Sequence, residues 1–256
     1  MMHILLSRWR QGHRTLPYPK ELPSLPARFQ GLPRIEAAKC PEACRLCAEA
    51  CPVAAIGFGP GGPSLDLGRC VFCPACVEAC PEGAIAFTGD HRLATTSREA
   101  LVTTGADRYA RAEALGAELK RVLGRSLKLR VVSAGGCNGC EVDVNVLGTL
   151  AWDLGRFGIQ YVASPRHADG LLVTGPVTRN MELALRKTYD AVPGPKIVIA
   201  VGACAIQGGP YCHREEQLGG VGSVLPVDLY IPGCPPHPLT ILDGLLRLLG
   251  KLNEPR

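Results

Sequence analysis

Two thiols at a Cys-x-x-Cys spacing stand in the stretch Gly135-Gly136-Cys137-Asn138-Gly139-Cys140-Glu141. A β-branched run precedes it at 129–132, and a segment with helical apolar spacing follows at 142–154. Two further cysteines end strand-like runs, Cys204 after 197–201 and Cys234 after 227–231. Thiolates are soft donors that suit iron–sulfur clusters and zinc. Groups at the carboxyl ends of strands in an α/β fold are brought to one crevice. These four thiolates are therefore expected to hold one iron–sulfur cluster.

Eight more cysteines come earlier, as Cys40-x3-Cys44-x2-Cys47-x3-Cys51-Pro52 and Cys70-x2-Cys73-x2-Cys76-x3-Cys80-Pro81. The second has the spacing of bacterial ferredoxins, and the first has one extra residue between its first two cysteines. Three thiolates from one tight turn can cap three irons of a cubane, while the fourth must arrive from the other motif. Cys40, Cys44, Cys47 and Cys80 are accordingly assigned to one cluster, and Cys51, Cys70, Cys73 and Cys76 to the other. The motifs are also an internal repeat, since Cys51-Pro52-Val53-Ala54-Ala55-Ile56-Gly57-Phe58 matches Cys80-Pro81-Glu82-Gly83-Ala84-Ile85-Ala86-Phe87. Structural zinc is the competing use of such cysteines. Two matching quartets, each closed by a proline, favour clusters.

Thirteen cysteines without an export signal imply metal or redox chemistry in a reducing compartment. Residues 1–39 hold seven Lys or Arg against Glu21 and Glu36, a net of +5 that equals the whole-chain excess. Aromatics make up 5% of the chain, which argues against a nucleic-acid partner. The basic segment reads instead as an arm lying on an acidic neighbour or a membrane surface. Glycine and proline interrupt every apolar run, so no bilayer span is expected and the chain reads as cytoplasmic.

The elements that must position the thiols follow from periodicity. Residues 1–34 form an extended basic arm, with one short helix at 2–10 and then Pro17, Pro19, Pro23, Pro26 and Pro33 marking a strap. Residues 35–91 form a small α+β, bacterial-type two-cluster ferredoxin domain. Residues 92–124 are expected to be a helical linker, with a helix over 109–123 capped by Asp107 and ended by Gly124. From 125 to 256 strand and helix alternate. Strands are expected near 128–133, 159–163, 169–174, 196–201 and 227–231, and helices near 140–155, 178–190 and 238–249. The fold class is α/β, a flavodoxin-like, mostly parallel sheet domain behind the ferredoxin module. The first strand is not followed by a dinucleotide fingerprint.

The set Gly124-Arg125-Ser126-Leu127, Cys137-Asn138-Gly139-Cys140-Glu141, Arg156-Phe157-Gly158, Ser164-Pro165-Arg166-His167-Ala168-Asp169, Thr174-Gly175-Pro176-Val177-Thr178, Gly202-Ala203-Cys204-Ala205, Gly208-Gly209 and Gly233-Cys234-Pro235-Pro236 carries a family resemblance. It resembles the small subunit of energy-converting [NiFe] hydrogenases of the formate-hydrogenlyase type. That subunit is similar to the 20 kDa complex I subunit that holds the terminal cluster near quinone. The first 90 residues resemble the polyferredoxin-like partner of the same complexes.

The resemblance implies that Cys137, Cys140, Cys204 and Cys234 ligate a proximal [4Fe–4S] cluster, so that three [4Fe–4S] clusters serve electron transfer. It also implies an oxidoreductase subunit whose [NiFe] site lies on a separate large subunit. The other implied partners are membrane-arm subunits and a redox partner such as a formate dehydrogenase or a ferredoxin. The complex would sit at the inner face of the cell membrane.

The complex I relative carries two adjacent cysteines where this chain has Cys137-x-x-Cys140, which ranks hydrogenase above a module delivering electrons to quinone. A cluster scaffold or sensor is the third reading. Cys212 is expected to be a non-ligand thiol, and His213 and His237 are not assigned as ligands. Glu141 and Asp143 are candidates for relaying protons or setting potential, with helix N-terminal stabilisation as the plainer role of Glu141. Arg166 and His167 are candidates for contact with the cluster or the large subunit, against ordinary loop packing.

Overall fold

The computed structural model describes residues 2–12, 14–41, 43–59, 62–104 and 109–252. Helix α1 (Met2–Gln11) comes first. The proline-rich strap after it lies on this chain's own C-terminal half. The Leu16 amide donates to the Ala151 carbonyl (2.8 Å), and the Arg156 guanidinium donates to the carbonyls of Leu16 and Tyr18 (2.7 and 3.0 Å). Tyr18, itself buried, donates its hydroxyl to Asp243 at 2.8 Å.

The cysteine-rich module follows with β1 (Pro33–Ile35), α2 (Leu46–Glu49), β2 (Ile56–Gly59), β3 (Gly62–Asp66), α3 (Ala75–Glu78), β4 (Ile85–Phe87) and β5 (Val102–Thr104). β1 pairs antiparallel with β4, and β2, β3 and β5 form a second antiparallel sheet. Each half of the repeat gives a one-turn helix and a strand. Ile56 and Ile85 are both buried, as their matching places in the repeat require.

Next come α4 (Ala117–Leu123), β6 (Leu127–Ser133), α5 (Gly139–Val146), β7 (Ile159–Tyr161), β8 (Gly170–Thr174), α6 (Arg179–Ala191), β9 (Ile197–Val201), α7 (Ala203–Gln207), β10 (Leu229–Ile231) and α8 (Pro238–Leu248). The five strands form one parallel sheet in the spatial order β7-β6-β8-β9-β10. Numbered within the sheet this is 2-1-3-4-5, the flavodoxin-like order. β8 and β9 are buried at every position, because helices or the ferredoxin module cover both faces.

One core joins Leu65, Leu67 and Leu101 of the module to Val132, Leu171, Val173, Val198 and Ala200 of the sheet. A second core, on the opposite face, packs α8 leucines against Leu129, Leu172, Ile199 and Ile231. The edge strand β10 is covered by Thr95, which exchanges two backbone hydrogen bonds with Tyr230 (3.0 and 2.8 Å).

The helix expected over 109–123 is present only as Ala117–Leu123. Upstream of Gly116 the backbone bonds elsewhere. The Ala112 amide donates to Ala94 (2.6 Å), the Leu115 amide donates to Leu248 (2.9 Å), and the Tyr109 hydroxyl donates to Leu93 (2.6 Å). These tertiary partners override the helical propensity of an alanine-rich stretch. Asp107, the expected cap, lies outside the described residues. The helix expected over 140–155 ends at Val146 and gives way to turns around Gly148. Helix α7, not expected from the sequence, is a single short turn carrying Cys204.

Candidate metal centres

Cys40, Cys44, Cys47 and Cys80 line one cavity, together with Leu46 and Ile85. The sulfur from the far end of the second motif thus joins three from the first. Burial raises the Cys47 thiol pKa, and the charges of Cys40 and Cys80 raise it further. In the second quartet burial pushes Cys70 up to about 12, and Cys76, Cys51 and Cys73 add to the shift. Cys76 is pushed up to about 11 by burial, then by Cys73 and Cys51. Backbone amides reach these sulfurs in the same way in both halves: Ala55 donates to Cys51 Sγ at 3.2 Å and Ala84 to Cys80 Sγ at 3.3 Å.

The third set is gathered by three loops at the carboxyl ends of β6, β9 and β10. Asn138, with φ at 70°, is the N-cap of α5 and turns the chain between Cys137, in the loop before the helix, and Cys140, in its first turn. The Gly202 amide donates to Ile231 and the Ala203 amide to Gly233, both at 2.8 Å, which ties the Cys204 loop to the Cys234 loop. Gly202 holds φ at +92°, and a Cβ there would stand 2.5 Å from Cys140 Sγ. Only glycine permits both the conformation and the approach of that sulfur. Burial pushes Cys204 up to about 12, with Cys234 and Cys137 contributing; Cys140 rises too, from burial first and then Cys204 and Cys234.

All thirteen cysteines are free thiols. Among the described residues no three His, Cys, Asp or Glu side chains converge on a single metal ion. Thiols grouped in fours, with Cys47, Cys70, Cys76 and Cys204 buried among them, suit a centre that takes thiolate at each of four corners, because a coordinating metal deprotonates the thiol outright.

Other candidates have definite places. Glu141 is buried in the first turn of α5, where its Oε1 accepts from Ser133 Oγ (2.5 Å) and Thr174 Oγ1 (2.8 Å). It therefore pins α5 to the ends of β6 and β8, which the sequence did not reveal because both partners are ordinary hydroxyls. His237 caps α8, its Nδ1 accepting from the Leu239 amide at 3.1 Å, and burial lowers its pKa. Arg166, His167 and His213 are exposed, and Cys212 is half-buried. Asp143 faces a cavity of about 340 Å³ that is also lined by Val71, Phe72, Cys234 and His237. Burial raises its carboxyl pKa.

Sequence reasoning also missed Arg98. Its guanidinium grips Asp66 with two hydrogen bonds (2.9 and 2.7 Å) and also reaches Gln207 Oε1 at 3.1 Å. This fastens the ferredoxin module to α7, the helix that carries Cys204.

The fold and these thiol sets define an iron–sulfur electron-transfer protein built from a ferredoxin module and a flavodoxin-like sheet. Residues 137–248 match the family described as NADH ubiquinone oxidoreductase, 20 Kd subunit, and residues 63–86 match the 4Fe-4S binding domain. A probable membrane-bound hydrogenase subunit of Pyrococcus furiosus is 42% identical over 138 residues, 54% of this chain and 83% of the relative. Formate hydrogenlyase subunit 7 of Escherichia coli is 44% identical over 138 residues, 54% of this chain and 54% of the relative. An NADH-quinone oxidoreductase subunit of Bacteroides thetaiotaomicron is 44% identical over 115 residues, 44% of this chain and 58% of the relative. The chain belongs to the 20 kDa-subunit family of complex I and related hydrogenases, and it is an oxidoreductase subunit that transfers electrons.

Proposed function

We propose that this chain is the iron–sulfur relay subunit of a membrane-associated [NiFe] hydrogenase complex of the formate-hydrogenlyase type. Three [4Fe–4S] clusters carry single electrons between a partner large subunit and an outside redox partner such as a formate dehydrogenase or ferredoxin. Cys137, Cys140, Cys204 and Cys234 hold the cluster next to the large subunit. Cys51, Cys70, Cys73 and Cys76 hold the middle one, and Cys40, Cys44, Cys47 and Cys80 the outer one.

The observation that carries this reading is the cavity shared by Cys234 with Val71 and Phe72, which lie between Cys70 and Cys73. It supports an order in which the second quartet lies next to the third and the first quartet is farther along the relay. Cys137 and Cys234 are exposed, which supports a partner docking directly over that end. Membership in the complex I family supports a second reading, delivery of electrons to quinone. The Cys137-x-x-Cys140 spacing favours hydrogenase.

The purified complex is expected to hold about twelve iron atoms per copy of this chain, four for each cluster, together with nickel on the large subunit. Iron at that level without nickel overturns the hydrogenase reading in favour of quinone. Cys234→Ala is expected to remove one cluster's electron paramagnetic resonance signal and all H2-dependent reduction, while dithionite still reduces both ferredoxin clusters. Normal reduction of those two by H2 in the variant sinks the proposed order.

A further inference from the structure

We propose that α1 docks this chain directly on the surface of an anionic lipid bilayer. Residues 3–11 of the helix are exposed, with Leu5 68%, Leu6 43% and Trp9 82% accessible. At 3.6 residues per turn these three side chains fall within about 100° of arc. Arg8 and Arg10 flank that arc, one on each side, and Arg14 follows. A ten-residue helix is too short to be stable in water by itself, so it needs a surface.

The order of residue types indicates which surface. A tryptophan and leucines on one face, with arginines on both borders, let the apolar face sink to the acyl boundary while both cations stay among headgroups. A closed protein groove would bring apolar walls against the same arginines and bury their charge. A flat anionic sheet meets all three features at once, and the +5 excess of residues 1–39 is complementary to it.

The anchoring of the helix allows this. Thr15 Oγ1 donates to the Leu150 carbonyl at 3.0 Å and the Leu16 amide to Ala151 at 2.8 Å, so α1 leaves the body at a fixed point. Leu150, 72% exposed, stands at that point as a further apolar side chain. Among the described residues no helix is long and apolar enough to cross a membrane. Ten residues of α1 rise only about 15 Å, half the hydrocarbon thickness, so its own attachment is an interfacial one.

The test uses the full chain with its clusters assembled and two kinds of vesicle, phosphatidylglycerol with phosphatidylcholine, and phosphatidylcholine alone. The chain has two tryptophans, Trp9 and the half-buried Trp152, so Trp9 reports contact with lipid. The expected result is co-sedimentation with the anionic vesicles and a shift of tryptophan emission to shorter wavelength, both weakened by salt. Trp9→Phe removes the shift. Arg8→Gln and Arg10→Gln each weaken binding about fivefold. Leu5→Glu with Leu6→Glu abolishes it while the visible absorbance of the clusters is unchanged. Equal binding to neutral vesicles, binding that survives the double glutamate, or no binding to either vesicle overturns the proposal. None of these outcomes bears on the electron relay, which requires no lipid.

Discussion

The N-terminal module and the C-terminal sheet domain gather thiols in opposite ways. In the module the sulfurs are dense along the chain, and a tight turn ending in a one-turn helix is used twice. Each turn supplies its own amide donors, Ala55 to Cys51 and Ala84 to Cys80. In the sheet domain the sulfurs are dispersed over 98 positions, from Cys137 to Cys234, and a buried parallel sheet brings their loops together. The first arrangement tolerates change outside the turns. The second depends on the fit of several loops at once, so a single backbone contact can disable it.

Gly202→Ala is the sharpest way to break that contrast. The added methyl meets Cys140 Sγ at 2.5 Å and the residue must keep φ at +92°. The expected outcome is loss of the C-terminal cluster, with occupancy down by about tenfold or more if the clash and strain together exceed about 1.4 kcal/mol. Both ferredoxin clusters are expected to remain. Iron content and separate spectroscopic signals check this. Equal loss of iron from the module and from the sheet domain removes the distinction between the two arrangements.

A smaller effect is expected where the two regions meet. Arg98→Ala leaves Asp66 in a half-buried position without its bidentate partner and frees Gln207 from the module. The cost is about 1–3 kcal/mol, measured as a lower denaturant midpoint of the cluster-loaded chain. Lysine at 98 restores the charge without the planar fork and is expected to recover only part of it. No change in midpoint means that the shared core, rather than this contact, joins the module to α7.

The same contrast governs what could be read from the sequence. Dense, repeated cysteine spacings are local, so the module was legible, and Cys40, Cys44, Cys47 and Cys80 do line one cavity. The five strands and the flavodoxin-like sheet were legible from their strand-like runs, and the dispersed cysteines were expected at one crevice because they follow those runs. Contacts between distant ordinary residues left no such trace. Arg98 and Gln207 are 109 positions apart, and Tyr18 and Asp243 are 225 apart. The stretch over 109–116 reads as helix by composition. It is not helical because Ala94 and Leu248 take its amides, and neither partner is recognisable before the chain is folded.

The smallest predicted effect tests whether the repeat is exact at the backbone. Ala54 and Gly83 occupy the same place in the two halves, and both have a left-handed backbone, with φ at 49° and 58°. Nothing lies within 4 Å of a Cβ built on Gly83, so strain is the only penalty there. Ala54 bears that strain, while glycine escapes it at the expense of a more disordered unfolded chain. Ala54→Gly is therefore expected to stabilise the module by about 0.5–1 kcal/mol, and Gly83→Ala to destabilise it by a similar amount. The two changes together should cancel, because each only exchanges the residue types of the two halves. Denaturant unfolding followed by cluster absorbance measures all three variants. A loss from Gly83→Ala as large as that from Gly202→Ala would mean that the module's turns are as dependent on glycine as the dispersed site, and the contrast would fail at its most local point.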